Sequence, residues 1–159
     1  MLLRVLVIGY GSDLRGDDAL GPRAAEALEA RYEGVEGVKV LGRASLTPDL
    51  AEDAAGAELV IFVDCDAELG AGVIRRREVE ELDESTAAMV HFLDPAALLY
   101  WSSHLFGAQP RGVIYGVGGA TFECADGLSE VVAGVFDDLI DRVTGEVDGA
   151  LGAREVAGA

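Results

Sequence analysis

Four aspartates and one histidine are the side chains of this 159-residue chain whose types and spacing best support chemistry. Asp17 and Asp18 form an acidic pair, Asp64 and Asp66 follow an apolar run, and His91 is one of only two histidines. Two carboxylates and an imidazole form a mixed oxygen and nitrogen site that suits a borderline divalent metal such as nickel or zinc. Carboxylates also activate water. The residue types alone therefore predict a metal site or acid–base catalysis.

The elements around these residues alternate between strand and helix. The patterns predict strands over 3–9, 34–41, 58–63, 73–79 and 111–116, and helices over 17–32, 47–55, 94–105 and 128–143. Such alternation predicts an α/β fold with a mostly parallel sheet that is covered on both faces. In such folds the working site lies at the carboxyl ends of the strands, which is where the aspartates fall. The charged segment 73–79 is typical of an edge strand.

We expect one domain over residues 1–145 and a flexible tail over 146–159, because the tail is Gly, Ala and acid. A charge of −17, from 12 basic and 29 acidic residues, disfavours nucleic-acid and anionic-membrane partners. No apolar run approaches the roughly 20 residues of a membrane span. The two cysteines form no disulfide framework, which indicates a reducing, cytoplasmic setting. At this size we expect a monomer.

Each candidate also has a purely structural interpretation. Asp17 and Asp18 could simply cap a helix. His104 lies ten residues into a predicted helix among apolar neighbours and looks like a packing residue. Cys65 is a poor nucleophile, because its acidic neighbours raise the pKa of a thiol. A small buried hydrophobe is the expected role of Cys65, and the same holds for Cys124.

The glycines after the first strand do not form a dinucleotide fingerprint. Gly9 and Gly11 are in place, but the third glycine should fall at Leu14. The loop then leads into Asp17 and Asp18, which would repel a pyrophosphate at the helix start. A tight turn with close packing between strand and helix is the simpler explanation of the two glycines.

The string GYGSDLRGDDALGP over 9–22 resembles the signature GxGNxLxxD(D/E)GxG of the nickel-iron hydrogenase maturation endopeptidases. The resemblance continues with the apolar strand that ends at Asp64 and with His91 before a Leu-rich helix, and it covers residues 3–143. The sequence departs from the signature at Ser12 in place of Asn, at Asp13, and at Ala19 in place of Gly. None of these departures removes a ligand that the resemblance implies.

The resemblance implies a three-layer α/β/α sandwich whose mostly parallel, five-stranded twisted sheet has one antiparallel edge strand. It also implies an endopeptidase that removes a C-terminal peptide from the nickel-loaded precursor of a hydrogenase large subunit. Asp18, Asp64 and His91 map onto the metal-contacting and catalytic positions. Nickel would be carried by the precursor, and the free enzyme would bind metal weakly or not at all. A non-proteolytic metal-sensing or nucleotide-binding module is the alternative.

Overall fold

The computed structural model describes residues 3–89, 93–123 and 126–158. The strands are β1 (Val5–Tyr10), β2 (Val38–Arg43), β3 (Leu59–Asp66), β4 (Ile74–Glu78) and β5 (Arg111–Gly118). The helices are α1 (Leu20–Arg31), α2 (Leu50–Ala55), α3 (Glu84–Met89), α4 (Pro95–Phe106) and α5 (Glu130–Gly158), and a 3-10 turn (Gly16–Ala19) precedes α1.

The strands form one sheet in the order β2-β1-β3-β5-β4. β1, β2, β3 and β5 are parallel, while β4 pairs with β5 in the antiparallel sense at the edge. The predicted sheet and its charged edge strand are therefore confirmed. Because β1 and β3 are adjacent and parallel, Tyr10 and Asp64 come to the same edge of the sheet.

Helices cover both faces of the sheet, as the sandwich prediction requires. One core lies under α1 and α5 and contains Leu28, Ile61 and Leu139. The other lies under α2 and α4 and contains Leu50, Phe62 and Leu98. Side chains at odd and even positions of β3 pack into opposite cores, because successive side chains of a strand point to opposite faces of the sheet. The same alternation places Asp64 on the α2 and α4 face, next after Phe62.

Helix α4 begins where the Asp94-Pro95 pair predicts. The Asp94 carboxylate accepts a hydrogen bond of 2.7 Å from the Ala97 amide, and Pro95 occupies the first helical position. Pro suits that position because the amide hydrogen it lacks would have had no partner within the helix. This cap fixes where the chain enters α4 from the side of the sheet that carries Tyr10 and Asp64.

The last helix extends past residue 145, which corrects the predicted start of a flexible tail. Val147 is fully buried in the core beneath α1 and α5. Glu146 accepts hydrogen bonds from Arg76 of β4 and from the Tyr115 hydroxyl, and Asp148 accepts one from Tyr32. The Gly, Ala and acid composition predicts a tail and not a helix, because these tertiary contacts, which stabilise the helix, cannot be seen in the sequence.

Within the described residues, none of the helices is long and apolar enough to cross a membrane.

Candidate active site

Asp64 and Tyr10 form a buried polar pair on adjacent strands. The Tyr10 hydroxyl donates a hydrogen bond of 2.9 Å to Asp64 Oδ2. Burial raises the pKa of Asp64 to about 6. The Tyr10 hydrogen bond and the Arg77 charge lower that pKa, whereas the Asp66 and Asp18 charges raise it. A carboxyl with such a pKa is well placed to exchange a proton near neutral pH.

Asp18 lies in the 3-10 turn and is tied to the loop that follows β1. Its Oδ2 accepts a hydrogen bond of 2.7 Å from the Ser12 amide. Ser12, which replaces the Asn of the signature, therefore still joins the loop through its backbone, and its hydroxyl accepts a hydrogen bond from the Leu14 amide. Gly11 permits this close approach, because a Cβ at position 11 would lie 2.0 Å from the Asp18 carbonyl oxygen. We call the edge that carries Tyr10, Asp18 and Asp64 the carboxylate rim.

Asp17 faces away from the carboxylate rim and has a structural role. It is fully buried, and its carboxylate accepts four hydrogen bonds, from the amides of Ala120, Thr121 and Ser129 and from the Ser129 hydroxyl. Burial opposes ionisation of Asp17, but these four donors outweigh it and lower its pKa. Asp17 thus ties the turn that carries Asp18 to the segment between β5 and α5. The sequence suggested only helix capping for Asp17 and did not indicate this connection to the segment between β5 and α5.

Asp66 is also used structurally. Its Oδ2 forms an ion pair of 3.0 Å with Arg75, and its Oδ1 accepts a hydrogen bond from the Glu68 amide. These partners come from β4 and from the turn after β3. Asp66 is therefore a neighbouring charge of Asp64 and is not directed into the carboxylate rim by any described contact.

The two remaining sequence candidates have different outcomes. His91 lies outside the described residues. His104 is exposed and stacks on Tyr100, with ring centroids 5.1 Å apart, so it packs on the surface of α4. Among the residues that the structure describes, no three His, Cys, Asp or Glu side chains form a metal-binding cluster.

Cys65 is a free, half-buried thiol on β3. Burial is the main cause, and together with the negative charges of four neighbouring aspartates it raises the pKa of Cys65 to about 12; these are Asp17, Asp18, Asp64 and Asp66. The thiol is therefore almost wholly protonated at neutral pH, and the predicted direction of the pKa shift is confirmed. Cys124 lies outside the described residues.

Tyr10 and Arg77 are the two residues of this region that the sequence analysis missed. Tyr10 appeared only as the variable residue between two glycines. Arg77 appeared only as one charge of an edge strand. The pairing of β1 with β3 and of β4 with β5 puts both near Asp64, and that proximity depends on strand order. The only available signal was the rule that strand carboxyl ends converge at one edge.

The fold and the carboxylate rim define a three-layer α/β/α sandwich with acids at the carboxyl ends of its parallel strands. Comparison with known proteins narrows this class. The hydrogenase 2 maturation protease of Escherichia coli strain K12 is 37% identical over 62 residues, which is 39% of this chain and 38% of that protein. The aligned part thus spans less than half of that relative. No family model matches the chain.

Solved structures give a longer match. The hydrogenase maturating endopeptidase HybD from E. coli is 25% identical, covers 93% of this chain and 94% of its own, and has a TM-score of 0.74. A hydrogenase 2 maturation peptidase from a Thaumarchaeota archaeon is 27% identical, covers 92% and 99%, and has a TM-score of 0.66. The resemblance found in the sequence is therefore confirmed: the chain is similar to the hydrogenase maturation endopeptidases and shares their fold.

Proposed function

We propose that this protein is an endopeptidase that removes a C-terminal peptide from the nickel-loaded large-subunit precursor of a nickel-iron hydrogenase. The observation that carries the proposal is the pair of carboxylates at the rim. Asp18 and Asp64 come from separate segments, yet they are close enough for the Asp18 charge to raise the pKa of Asp64. Like charges are held together in this way where a cation or a proton is to be bound.

Asp18 and Asp64 would bind the precursor's nickel together with His91. Asp94 supports the inclusion of His91, because its charge is close enough to raise the pKa of Tyr10 at the rim. His91 precedes Asp94 by three residues, and three residues span at most about 11 Å. Position 91 is thus close to Asp94 along the chain, and on this ground we include His91 in the proposed site. One nitrogen and two oxygen donors suit nickel, whose remaining positions the precursor's thiolates would occupy.

The reaction would be hydrolysis of one peptide bond held next to this docking point. Water attacks the carbonyl carbon, its proton passes to a carboxylate, and the amine of the released peptide leaves with a proton. A carboxylate of the rim is the kind of group that can accept this proton. The nickel would hold the precursor in place and polarise the carbonyl. Positioning of this kind contributes about 7 kcal/mol or more in well-aligned systems.

Three substitutions test the assignment: Asp18→Ala, Asp64→Ala and His91→Ala. Each variant is incubated with nickel-loaded precursor, and loss of the C-terminal peptide is followed by mass spectrometry. Asp13→Ala and His104→Ala are matched controls, because Asp13 is exposed on the same loop and His104 is the second histidine. We expect the three rim variants to lose processing and both controls to keep it. Processing at the parental rate in all three rim variants would exclude the site.

The same experiment separates the alternative functions. A metal-sensing module would form a stable complex with the loaded precursor and release no peptide. A nucleotide-binding module would be stabilised against heat by NAD or ATP. We place the reaction in the cytoplasm, because the thiols of a two-cysteine protein stay reduced there.

A further inference from the structure

The two acids of the carboxylate rim share one arrangement that their sequence positions do not suggest. In each, Oδ2 accepts a hydrogen bond from the first strand or the loop after it. Asp64 Oδ2 is held by the Tyr10 hydroxyl at 2.9 Å, and Asp18 Oδ2 is held by the Ser12 amide at 2.7 Å. Within the described residues, neither Oδ1 accepts a hydrogen bond.

We propose that Tyr10 is a positioning residue that restricts Asp64 to coordination through a single oxygen, Oδ1, and that the Ser12 amide restricts Asp18 in the same way. This inference rests on the proposed function, since it concerns how the same acids meet the nickel of the precursor. A phenol is protonated at neutral pH, so Tyr10 is a permanent donor to Asp64.

The physical reason is the geometry of a carboxylate. A free carboxylate can rotate and chelate a cation through both oxygens. A hydrogen bond of normal length takes one of the two lone pairs of Oδ2 and ties the plane of the carboxylate to the donor, so the group can no longer turn both oxygens toward a cation. The burial of the pair strengthens this restraint, because an aromatic ring packed in the core cannot follow a rotating acid. Tyr10 and Asp64 are both only partly accessible to solvent.

Gly116 of β5, the strand on the other side of β3, is consistent with this orientation of the Asp64 carboxylate. A Cβ at position 116 of β5 would lie 3.7 Å from Asp64 Oδ1, which is ordinary van der Waals contact. Gly116 has no such atom, so Oδ1 has no side chain against it at that strand position. The carboxylate therefore lies with one oxygen toward β1, where it is bonded, and the other toward β5, where it is not.

Single-oxygen coordination suits a metal that arrives with ligands of its own. A nickel ion already bound by precursor thiolates has few open positions, and two chelating carboxylates would compete with those thiolates. One oxygen from each acid adds two donors without displacing the cargo. The rim would thus recognise the loaded precursor without extracting the metal.

The test is Tyr10→Phe, with Tyr115→Phe as the matched control. Tyr115 donates an equivalent hydrogen bond of 2.9 Å to Glu146, on the opposite face of the sheet from Asp64. Both changes remove one hydroxyl and keep the ring. With nickel-loaded precursor, we expect Tyr10→Phe to raise KM about five- to tenfold with little change in kcat, because Asp64 is no longer held in the orientation that meets the nickel. Tyr115→Phe should leave KM unchanged.

A second measurement does not depend on activity. Crystals of the parent and of Tyr10→Phe are soaked with Cd²⁺, and its oxygen ligands are read from the maps. We expect Asp64 to bind Cd²⁺ through Oδ1 alone in the parent and through both oxygens in Tyr10→Phe. Chelation by Asp64 in the parent, identical coordination in both proteins, or no Cd²⁺ on Asp64 would each overturn the inference.

The two measurements separate this inference from the proposed function. A parent that cleaves the precursor while both proteins coordinate Cd²⁺ identically would retain the function and exclude the role of Tyr10. A parent that fails to cleave the precursor, but loses single-oxygen coordination on Tyr10→Phe, would exclude the function and retain the positioning role.

Discussion

Asp17 and Ser129 are 112 positions apart, yet two hydrogen bonds join them, from the Ser129 amide at 2.7 Å and from its hydroxyl at 2.9 Å. The same carboxylate also accepts the amides of Ala120 and Thr121. Hydrogen bonds through Asp17 therefore fix the turn that carries Asp18 to the segment that leads into α5. The position of a functional acid depends on its buried neighbour.

Replacement of Asp17 by Ala should destabilise the protein strongly. The change leaves three amides and one hydroxyl without their acceptor, and each unsatisfied buried donor costs about 1–3 kcal/mol. We expect a loss of at least about 3 kcal/mol in the free energy of unfolding, measured with urea. Ser129→Ala removes one donor and should cost about 1 kcal/mol. Asp138→Ala, which removes an exposed ion pair with Arg142, should stay within about 0.5 kcal/mol. Equal stability of Asp17→Ala and Asp138→Ala would contradict the role of Asp17.

The lowered pKa of Asp17 gives the protein an acid-labile contribution to stability. Because the folded state favours the ionised form, this contribution is present above the ordinary pKa of 3.8 and is lost as the pH falls through the folded value. Carbon NMR of the Asp17 carboxyl should therefore show a titration midpoint below 3.8. A midpoint above that value would mean that burial outweighs the four donors.

The pKa of Asp64 is shifted upward, so its effect on stability has the opposite dependence on pH from that of Asp17. Its folded pKa of about 6 exceeds its ordinary value of 3.8, so stability falls as the pH rises between these values and remains reduced above them. Asp64→Asn removes the ionisable group and keeps the acceptor for Tyr10. We expect this variant to be more stable than the parent by about 3 kcal/mol at pH 7.5 and nearly equal in stability near pH 4. Urea unfolding at the two pH values measures the difference, and a less stable variant at pH 7.5 would exclude the assigned shift.

Gly11→Ala should damage the site through the backbone. Gly11 has φ +148°, and a Cβ there would lie 2.0 Å from the Asp18 carbonyl oxygen, so Asp18 must move. We expect a destabilisation of about 1–3 kcal/mol and a loss of precursor processing. Gly134→Ala is the matched control, because the added Cβ meets nothing within 4 Å on helix α5. It should raise the free energy of unfolding by about 0.5–1 kcal/mol and leave processing intact.

Cys65 should be dispensable for cleavage and slow to alkylate. With a pKa of about 12, its rate of reaction with iodoacetamide should rise about tenfold per pH unit beyond pH 10. The measurement uses a Cys124→Ala background, so that only one thiol reports. Cys65→Ala should process the precursor at nearly the parental rate. A rate plateau near pH 9, or a loss of processing, would point to a reactive thiol.

The sequence predicts the sheet well, because each buried strand is an apolar run with a marked end. It also places Asp18 and Asp64 at one edge, since parallel strands share their carboxyl ends. It does not distinguish Asp17 from Asp18, because only the folded chain shows which carboxylate meets Ala120, Thr121 and Ser129. The sequence patterns do not predict the short helix α3. They do not predict the extension of α5 either, because the partners of Glu146 and Asp148 lie on distant elements.

Both acids of the carboxylate rim take their restraint from one short stretch, since Tyr10 holds Asp64 and the Ser12 amide holds Asp18. Three consecutive residues thus restrain two carboxylates that lie 46 positions apart in the sequence, from 64 − 18. Exchanging this tripeptide between related proteins would change the geometry of both carboxylates at once, with the acids themselves unchanged. Selectivity for the cargo ion could then evolve by substitutions at positions that never touch it.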